Sequence, residues 1–189
     1  MFKEFIIPDD SCDSPDQSNI FDNLYFNSVQ KSLKAVLITP ICDLNWGIKY
    51  LNFCAVLPYE VFILASICKK DNLSKDEILE KVSSIGINNL IEGYKSLVKG
   101  DLTEIINNKL VNYHWLGEIP NNEGYWFIDY SLTNCIDSER LSELQRIAII
   151  KSPLRESIFV RFSVCMGRVG LKGEKKDRDN YRNEVWGNL

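Results

Sequence analysis

Residues 34–57 read KAVLITPICDLNWGIKYLNFCAVL, and this stretch decides the fold class. Lys34 to Thr39 is a compact apolar run closed by a proline, and its length and β-branched content indicate a buried strand. Tyr50 to Leu57 is a second run of the same kind. Between the two runs, Asp, Asn and Gly favour a hairpin-like turn. The stretch therefore predicts two neighbouring strands, with Cys42 and Asp43 where the first strand ends.

The sequence outside this stretch adds helices and a second hairpin. Ser74 followed by Glu77 predicts a capping box that opens a helical region from Ser74 to Leu110, with breaks near Gly86 and Gly100. Further elements are predicted as strands at Leu110 to Leu116 and Tyr125 to Tyr130, and as helices at Ser138 to Ile149 and Pro153 to Leu171. Together these pieces predict an α+β fold: an antiparallel sheet or small curled barrel with an inserted helical region and C-terminal helices.

The length and charge of the chain predict one domain with a charged segment at each end. The chain has 189 residues and a net charge of only −4, which excludes a polyanion mimic and a polycation built for bulk nucleic-acid binding. Within a single domain spanning 1–189, we expect an acidic N-terminal segment at 1–30, a folded body at 34–171 and a charged tail at 172–189.

The two ends of the chain carry opposite charge. Six acids and one lysine lie in the first thirty residues, whereas basic residues outnumber acids from Lys151 onward. This asymmetry has two interpretations: a basic surface for phosphate or an acidic partner, or two solvated ends that attract each other.

Targeting signals and cysteine spacing point to a cytoplasmic protein. No signal peptide or membrane span is expected, because the apolar runs are interrupted well before the ~20 residues that a bilayer requires. The cysteines lie at positions 12, 42, 54, 68, 135 and 165, without a CxxC pair. We therefore expect reduced, mostly buried thiols and no disulfide.

Four residues are candidates for catalysis: Cys42, Asp43, His114 and Asp129. Strand ends are places where proteins often display catalytic groups, and a nucleophilic thiol at Cys42 would need His114, the only histidine, as its base. The structural alternative is that Cys42 is a small buried hydrophobe, that Asp43 caps the turn and that His114 packs within an aromatic strand.

Metal and nucleotide chemistry receive little support from the motifs. Zinc would have to use scattered cysteines and one histidine without a recognisable spacing. A magnesium site could be assembled from Asp43, Asp129 and Glu118, but scattered acids of this kind occur in many α+β proteins. The sequence contains no GxxxxGK[ST], GxGxxG, HExxH or GxSxG motif. No metal and no cofactor are therefore predicted.

The C-terminal helix and tail supply the candidate binding residues. Arg161 and Arg168 are seven residues apart and so lie nearly on one helix face, where they could pair with Asp43 and Asp129 or hold a phosphate. The densest basic cluster follows in the tail and includes Lys175, Lys176 and Arg178. Any nucleic-acid binding is expected there, from Lys172 to Arg182, with modest affinity because acids are interleaved.

Three short motifs of the chain form a recognisable combination. They are the strand end Thr39-Pro40-Ile41-Cys42-Asp43, the pair Tyr113-His114-Trp115-Leu116 and Phe127-Ile128-Asp129, and the ending from Pro153-Leu154-Arg155-Glu156 through Arg161-Phe162 to Gly167-Arg168-Val169-Gly170. In this combination the chain resembles a loosely defined set of small, uncharacterised bacterial proteins often encoded beside mobile-element or phage-defence genes. The resemblance implies a role in a conflict system without naming a reaction. Pro40 stands where that set frequently has a polar residue.

Two functions follow as expectations. The first is a non-catalytic component of a bacterial multi-component system, of the phage-defence or mobile-element kind. It would bind a protein partner or nucleic acid and no membrane. The second is a small-barrel ribonuclease-like toxin or hydrolase that uses Cys42, Asp43, His114 and Asp129. The two differ in whether these four side chains share one solvent-reaching cleft.

Overall fold

The computed structural model describes residues 4–9 and 16–173. These residues contain seven strands: β1 (Ile6–Pro8), β2 (Ile20–Phe26), β3 (Lys31–Leu37), β4 (Tyr50–Pro58), β5 (Tyr113–Ile119), β6 (Asn122–Asp137) and β7 (Gln145–Ile150). The helices are α1 (Ile41–Asn45), α2 (Tyr59–Lys70), α3 (Lys75–Ile85), α4 (Ile87–Ile106) and α5 (Leu154–Gly173), with a 3-10 helix at Ser138–Glu143.

The strands form one antiparallel sheet in the order β1-β7-β2-β3-β4-β6-β5. The sheet is open, with β1 and β5 as its two edges, so the predicted α+β class is confirmed in its open-sheet form rather than as a barrel. Strand β2 lies inside the sheet between β7 and β3, and its Ile20 and Phe21 are buried on opposite faces. The acidic N-terminal segment thus contributes an internal strand.

The predicted pair of strands in residues 34–57 is confirmed. Strands β3 and β4 are antiparallel, with Leu37 opposite Phe53. Their connection contains the short helix α1 rather than a simple turn, because the Pro40 carbonyl accepts the N–H groups of both Asp43 and Leu44 and so starts a helical turn. Gly47 then adopts a φ of +67°, a conformation that glycine reaches without a steric penalty.

The helical insertion agrees in part with the sequence. Ser74 forms the predicted capping box with Glu77, and the chain breaks at Gly86, where φ is +79°. The predicted break at Gly100 is wrong, because α4 continues through it to Ile106. Helix α2 was not predicted; its β-branched and aromatic residues resemble a strand, but they pack into a helical cluster with α3 and α4.

The C-terminal elements include one wrong prediction and one correct one. Ser138 to Ile149 is not a helix but the 3-10 helix followed by β7, because β7 pairs with a strand on each side and this tertiary pairing overrides local propensity. Helix α5 is confirmed, and its predicted stripe buries Leu154, Ile158 and Cys165.

The two faces of the sheet are covered differently. Helix α5 packs on one face, which we call the α5 face, over residues from every strand of the sheet. The opposite face carries two clusters, one against α1, its following loop and the 3-10 helix, and one against α2, α3 and α4. Successive side chains of a strand point to opposite faces of the sheet, so the pairing of the strands shows which face each candidate residue occupies.

Candidate functional site

Asp43 and Asp129 lie beside different parts of β4. Asp43 lies in α1, which precedes the first residue of β4, whereas Asp129 in β6 pairs with Ala55, five residues further along β4. The five residues from Tyr50 to Ala55 correspond to about 17 Å along the strand. The side chain of Cys42 lies outside the part of the chain that the structure describes.

His114 and Asp129 lie on opposite faces of the sheet. His114 pairs with Ile128 on the α5 face, while Asp129 pairs with the neighbouring Tyr113. The Asp129 carboxylate accepts hydrogen bonds from the N–H of Ser131 at 2.9 Å and from its hydroxyl at 2.5 Å. This pairing closes a local turn at the bulge of β6. The two residues therefore do not share the cleft that the enzyme hypothesis requires.

The imidazole of His114 is sealed in the core. Its exposed fraction is 0%, and among the described residues neither ring nitrogen has a hydrogen-bond partner. Burial, and then the nearby positive charge of Arg161, lower the pKa of His114 to about 3. The ring contacts Tyr130 edge-on, with 6.4 Å between centroids. At neutral pH this imidazole is neutral and away from solvent, as the structural alternative expects for a packed histidine.

Two buried thiols lie in the same core, and sequence reasoning did not single them out. Cys54 in β4 and Cys165 in α5 both belong to the cluster under α5. Burial, followed by the charge of Asp129, raises the pKa of Cys54 far above its usual range. Since the thiolate is the nucleophile, Cys54 is held in its unreactive form. Among the described residues the thiols of Cys54, Cys68, Cys135 and Cys165 are reduced.

Arg161 anchors α5 to the start of β5. Its Nη2 donates to the carbonyl oxygens of Leu110 at 2.6 Å and Tyr113 at 3.2 Å. These backbone acceptors take the place of the carboxylates of Asp43 and Asp129 that the sequence suggested as partners. The side chain of Arg168, and the tail residues Lys175, Lys176 and Arg178, lie outside the described residues.

A cleft lies where the two edges of the open sheet approach each other, and the sequence did not predict it. It has a volume of about 640 Å³ and is lined by Ile6, Ile7 and Pro8 of β1 and by residues 118–123 at the β5–β6 hairpin. We call it the seam cleft. The sequence did not predict this cleft because the segment that forms β7 was assigned to a helix. Without β7 there was no partner for β1, so β1 was not recognised as an edge strand.

A smaller polar pocket of about 320 Å³ adjoins the seam cleft. Both are lined by Pro8 and by residues 120–122. Asp9 and Arg146 form an ion pair of 2.8 Å in this pocket, and both side chains are largely buried. Asp22, also in the pocket, pairs with Lys34 at 3.2 Å. From the sequence, Asp9 and Asp22 were noted only as two of the six acids in the acidic N-terminal segment.

Trp46 forms the most exposed large apolar surface among the described residues, with 90% of it accessible. It follows α1, and its neighbour Tyr50 is 52% exposed, with the Lys49 amino group 5.3 Å from the Tyr50 ring centroid. Leu44 and Ile48 pack into the core on either side of Trp46 and hold the loop in place. We call Trp46, Lys49 and Tyr50 the aromatic tip.

Metal-binding and membrane-spanning features are not found within residues 4–9 and 16–173. No group of three or more His, Cys, Asp or Glu side chains in these ranges could hold a metal ion. No helix in them is both long and apolar enough to cross a bilayer.

Comparison of the sequence with models of known protein families found no match, and a search of curated proteins found no significant similarity.

Proposed function

We propose that this chain is a non-catalytic binding component that recognises a protein partner through the aromatic tip. The observation that carries the proposal is the 90% exposure of Trp46. Tryptophan and tyrosine are enriched among the residues that dominate binding energy, since they combine large apolar area with few rotatable bonds. Trp46 and the half-exposed Tyr50 together present aromatic surface, the residue type that is enriched in protein–protein interfaces.

The loop that carries Trp46 favours rigid presentation. The backbone N–H of Trp46 donates to the backbone carbonyl of Asp43 at 3.2 Å, and the backbone N–H of Ile48 donates to the same carbonyl at 3.3 Å. Leu44 and Ile48 pack inward, so the backbone is fixed from both sides while the indole remains outside. A backbone that is already fixed loses little entropy on binding, which favours affinity.

The dispersal of the predicted catalytic residues further supports a binding role. His114 is sealed and neutral, and Asp129 is bonded to Ser131 on the other face of the sheet. The ribonuclease or hydrolase alternative would need these groups in one solvent-reaching cleft. A setting in phage defence or a mobile element is part of the proposal and is supported by the resemblance of the motifs alone.

The test is a quantitative comparison of co-purifying proteins. Tagged full-length protein, its W46A variant and a V160A control are expressed in the source cells and purified, and the associated proteins are measured. Val160 is a suitable control because it is an exposed apolar residue, 64% accessible, on α5.

We expect one or more proteins to accompany the wild-type and V160A chains and to be lost from W46A. With the purified partner, W46A should weaken binding by at least about 30-fold, the effect typical of a central interface residue. The proposal is wrong if the wild-type chain retains no protein above a tag-only control, or if W46A retains the same set.

A further inference from the structure

We propose that a pocket between α2 and α4 binds a free medium-chain carboxylate, a linear alkyl chain that ends in a carboxylate group. The pocket has a volume of about 670 Å³ and is lined by Tyr59 and Ile63 of α2 and by seven residues of α4 between Ile91 and Leu102. This volume lies within the range of about 300 to 1,000 Å³ that is typical of small-molecule sites. We call it the helical pocket. It is separate from the aromatic tip, so the proposal adds a second binding site to the chain.

The floor of the helical pocket is apolar because it is continuous with the core between the helices. Ile63 and Val98 are buried in that core, and Tyr59, Ile91 and Leu102 pack against it while still lining the pocket. Along α4 the three apolar lining residues are spaced by seven and then four positions, which places them on one face of the helix. Such a surface gains free energy when hydrocarbon replaces the water against it.

The Tyr59 wall of the pocket is fixed before any ligand binds. Its ring meets Tyr125 edge-on with 5.8 Å between centroids, and Tyr125 stacks on Trp115, also at 5.8 Å. Trp115 is buried, and its backbone N–H donates to the Asn108 side chain. Small-molecule sites are usually largely preformed, and a wall that does not need to be ordered lowers the entropic cost of binding.

The helical pocket is elongated along α4. The lining runs from Ile91 to Leu102, which corresponds to about 16 Å at the helical rise of about 1.5 Å per residue. A ten-carbon chain has nine carbon–carbon bonds of about 1.5 Å and is therefore at most about 14 Å long. Decanoate thus fits lengthwise in the pocket.

The rim of the pocket carries charges that orient the ligand. Beside Ile91, the carboxylate of Glu92 accepts from the Lys95 amino group at 3.1 and 3.2 Å, so these two charges balance each other. Lys99 lies one helical turn beyond Lys95, and among the described residues its amino group forms no ion pair. A carboxylate here would accept hydrogen bonds from the Lys99 ammonium and the Ser96 hydroxyl, whereas at the other end it would meet Glu92. The head group therefore lies at Lys99 and the chain points toward Ile91.

The helical pocket and the aromatic tip lie at opposite ends of β4. Helix α2 begins at Tyr59, directly after Pro58 ends the strand, whereas Tyr50 of the tip begins it. Eight strand residues correspond to about 26 Å. W46A should therefore leave ligand binding unchanged, and a variant of the pocket should leave the co-purifying proteins unchanged. The failure of one proposal does not entail the failure of the other.

The experiment titrates 15N-labelled full-length protein with sodium decanoate, kept below its micelle-forming concentration, and follows backbone amide shifts by NMR. We expect saturable shifts confined to residues 59–63 and 91–102, the same in W46A. Hexanoate, which is four methylenes shorter, should bind at least about 30-fold more weakly because less hydrocarbon leaves water. Decyltrimethylammonium has the same chain with a positive head group and should bind at least about tenfold more weakly, because Lys99 repels it.

Two protein variants test the pocket from the other side. K99Q should weaken decanoate at least about threefold, an effect limited by the exposure of Lys99, whereas K151Q, which changes an exposed lysine between β7 and α5, should not alter binding. S96W places an indole in the pocket from an exposed lining position and should abolish binding.

Four results would each overturn the proposal: no saturable shift at millimolar decanoate, shifts outside the helical pocket, equal binding of hexanoate or decyltrimethylammonium, or unchanged affinity in K99Q. The two ligand controls use the unaltered protein, so they decide the matter even if a variant does not fold.

Discussion

Replacing His114 with leucine should make the protein less sensitive to acid. The folded protein holds the only histidine neutral, with a pKa of about 3 against 6.5 in an exposed state. Between these values the unfolded chain binds a proton that the folded chain does not, so the free energy of unfolding rises with pH across this window. The stability that comes from keeping His114 neutral is fully present above pH 6.5 and is lost as the pH falls toward 3.

The magnitude follows from the size of the pKa difference. At pH 4.5 the linkage removes about 2 to 3 kcal/mol from wild-type stability, and near pH 3 the loss is on the order of 4 to 5 kcal/mol. Leucine cannot take up a proton, so the variant lacks this loss. At pH 7.5 the two proteins should differ by only about 1 kcal/mol, because leucine is apolar like the neighbours Leu116 and Ile128 and leaves no unpaired ring nitrogen.

The assay is equilibrium urea unfolding of both proteins at pH 7.5 and 4.5, followed by tryptophan fluorescence. The carboxyl groups titrate in both proteins, so the difference between them isolates His114. NMR of the single histidine ring provides an independent check and should show a neutral ring down to pH 4.5. If the stability of the two proteins falls in parallel, or if the ring titrates near 6.5, the reasoning about burial is refuted.

Three further predictions address the anchor, the thiols and the tail. Arg161→Met should lower the free energy of unfolding by about 2 to 4 kcal/mol, measured by urea unfolding, because two backbone acceptors lose a charged donor; an effect under about 0.5 kcal/mol would contradict this. A thiol reagent should modify Cys135 rapidly in the native protein and the buried Cys54 and Cys165 only on unfolding, with six thiols in total under denaturation and without air oxidation; four or fewer would indicate disulfides. Truncation after Gly170 should abolish binding to a short duplex together with its salt dependence, whereas undiminished binding would place the site on the folded body.

The parts of the fold that were predictable have strong local signals. The strands around residues 34–57 are continuous apolar runs bounded by prolines, and Ser74 with Glu77 is a capping pair, so each could be read without knowing its neighbours. Helix α5 has an apolar stripe at helical spacing that is in fact the buried side of that helix. In these segments local propensity and tertiary packing agree.

The parts that were missed depend on pairing between distant segments. Gln145–Ile150 becomes a strand because Ile6–Pro8 and Ile20–Phe26 pair with it on either side, and neither pairing is visible in its own six residues. The seam cleft depends on the same pairings, so it could not be predicted once β7 was taken as helical. For His114 and Asp129 the sequence gives proximity along neighbouring strands, but only the register shows that they face opposite sides.

The charge asymmetry of the chain illustrates how composition and structure combine. The sequence left two interpretations open: a charged surface for a partner, or attraction between the two ends of the chain. The ion pairs among the described residues favour attraction between the ends. Asp16 of the acidic N-terminal segment pairs with Arg155 of the basic C-terminal part at 3.2 Å, and Asp9 pairs at 2.8 Å with Arg146, which lies just before that part. The Asp16 pair is partly exposed and contributes little to stability, about 1 kcal/mol at most, but it shows where these charges are directed. Arg155 is already paired within the fold and is therefore a poor candidate for phosphate binding, so the predicted nucleic-acid surface remains the tail from Lys172 to Arg182.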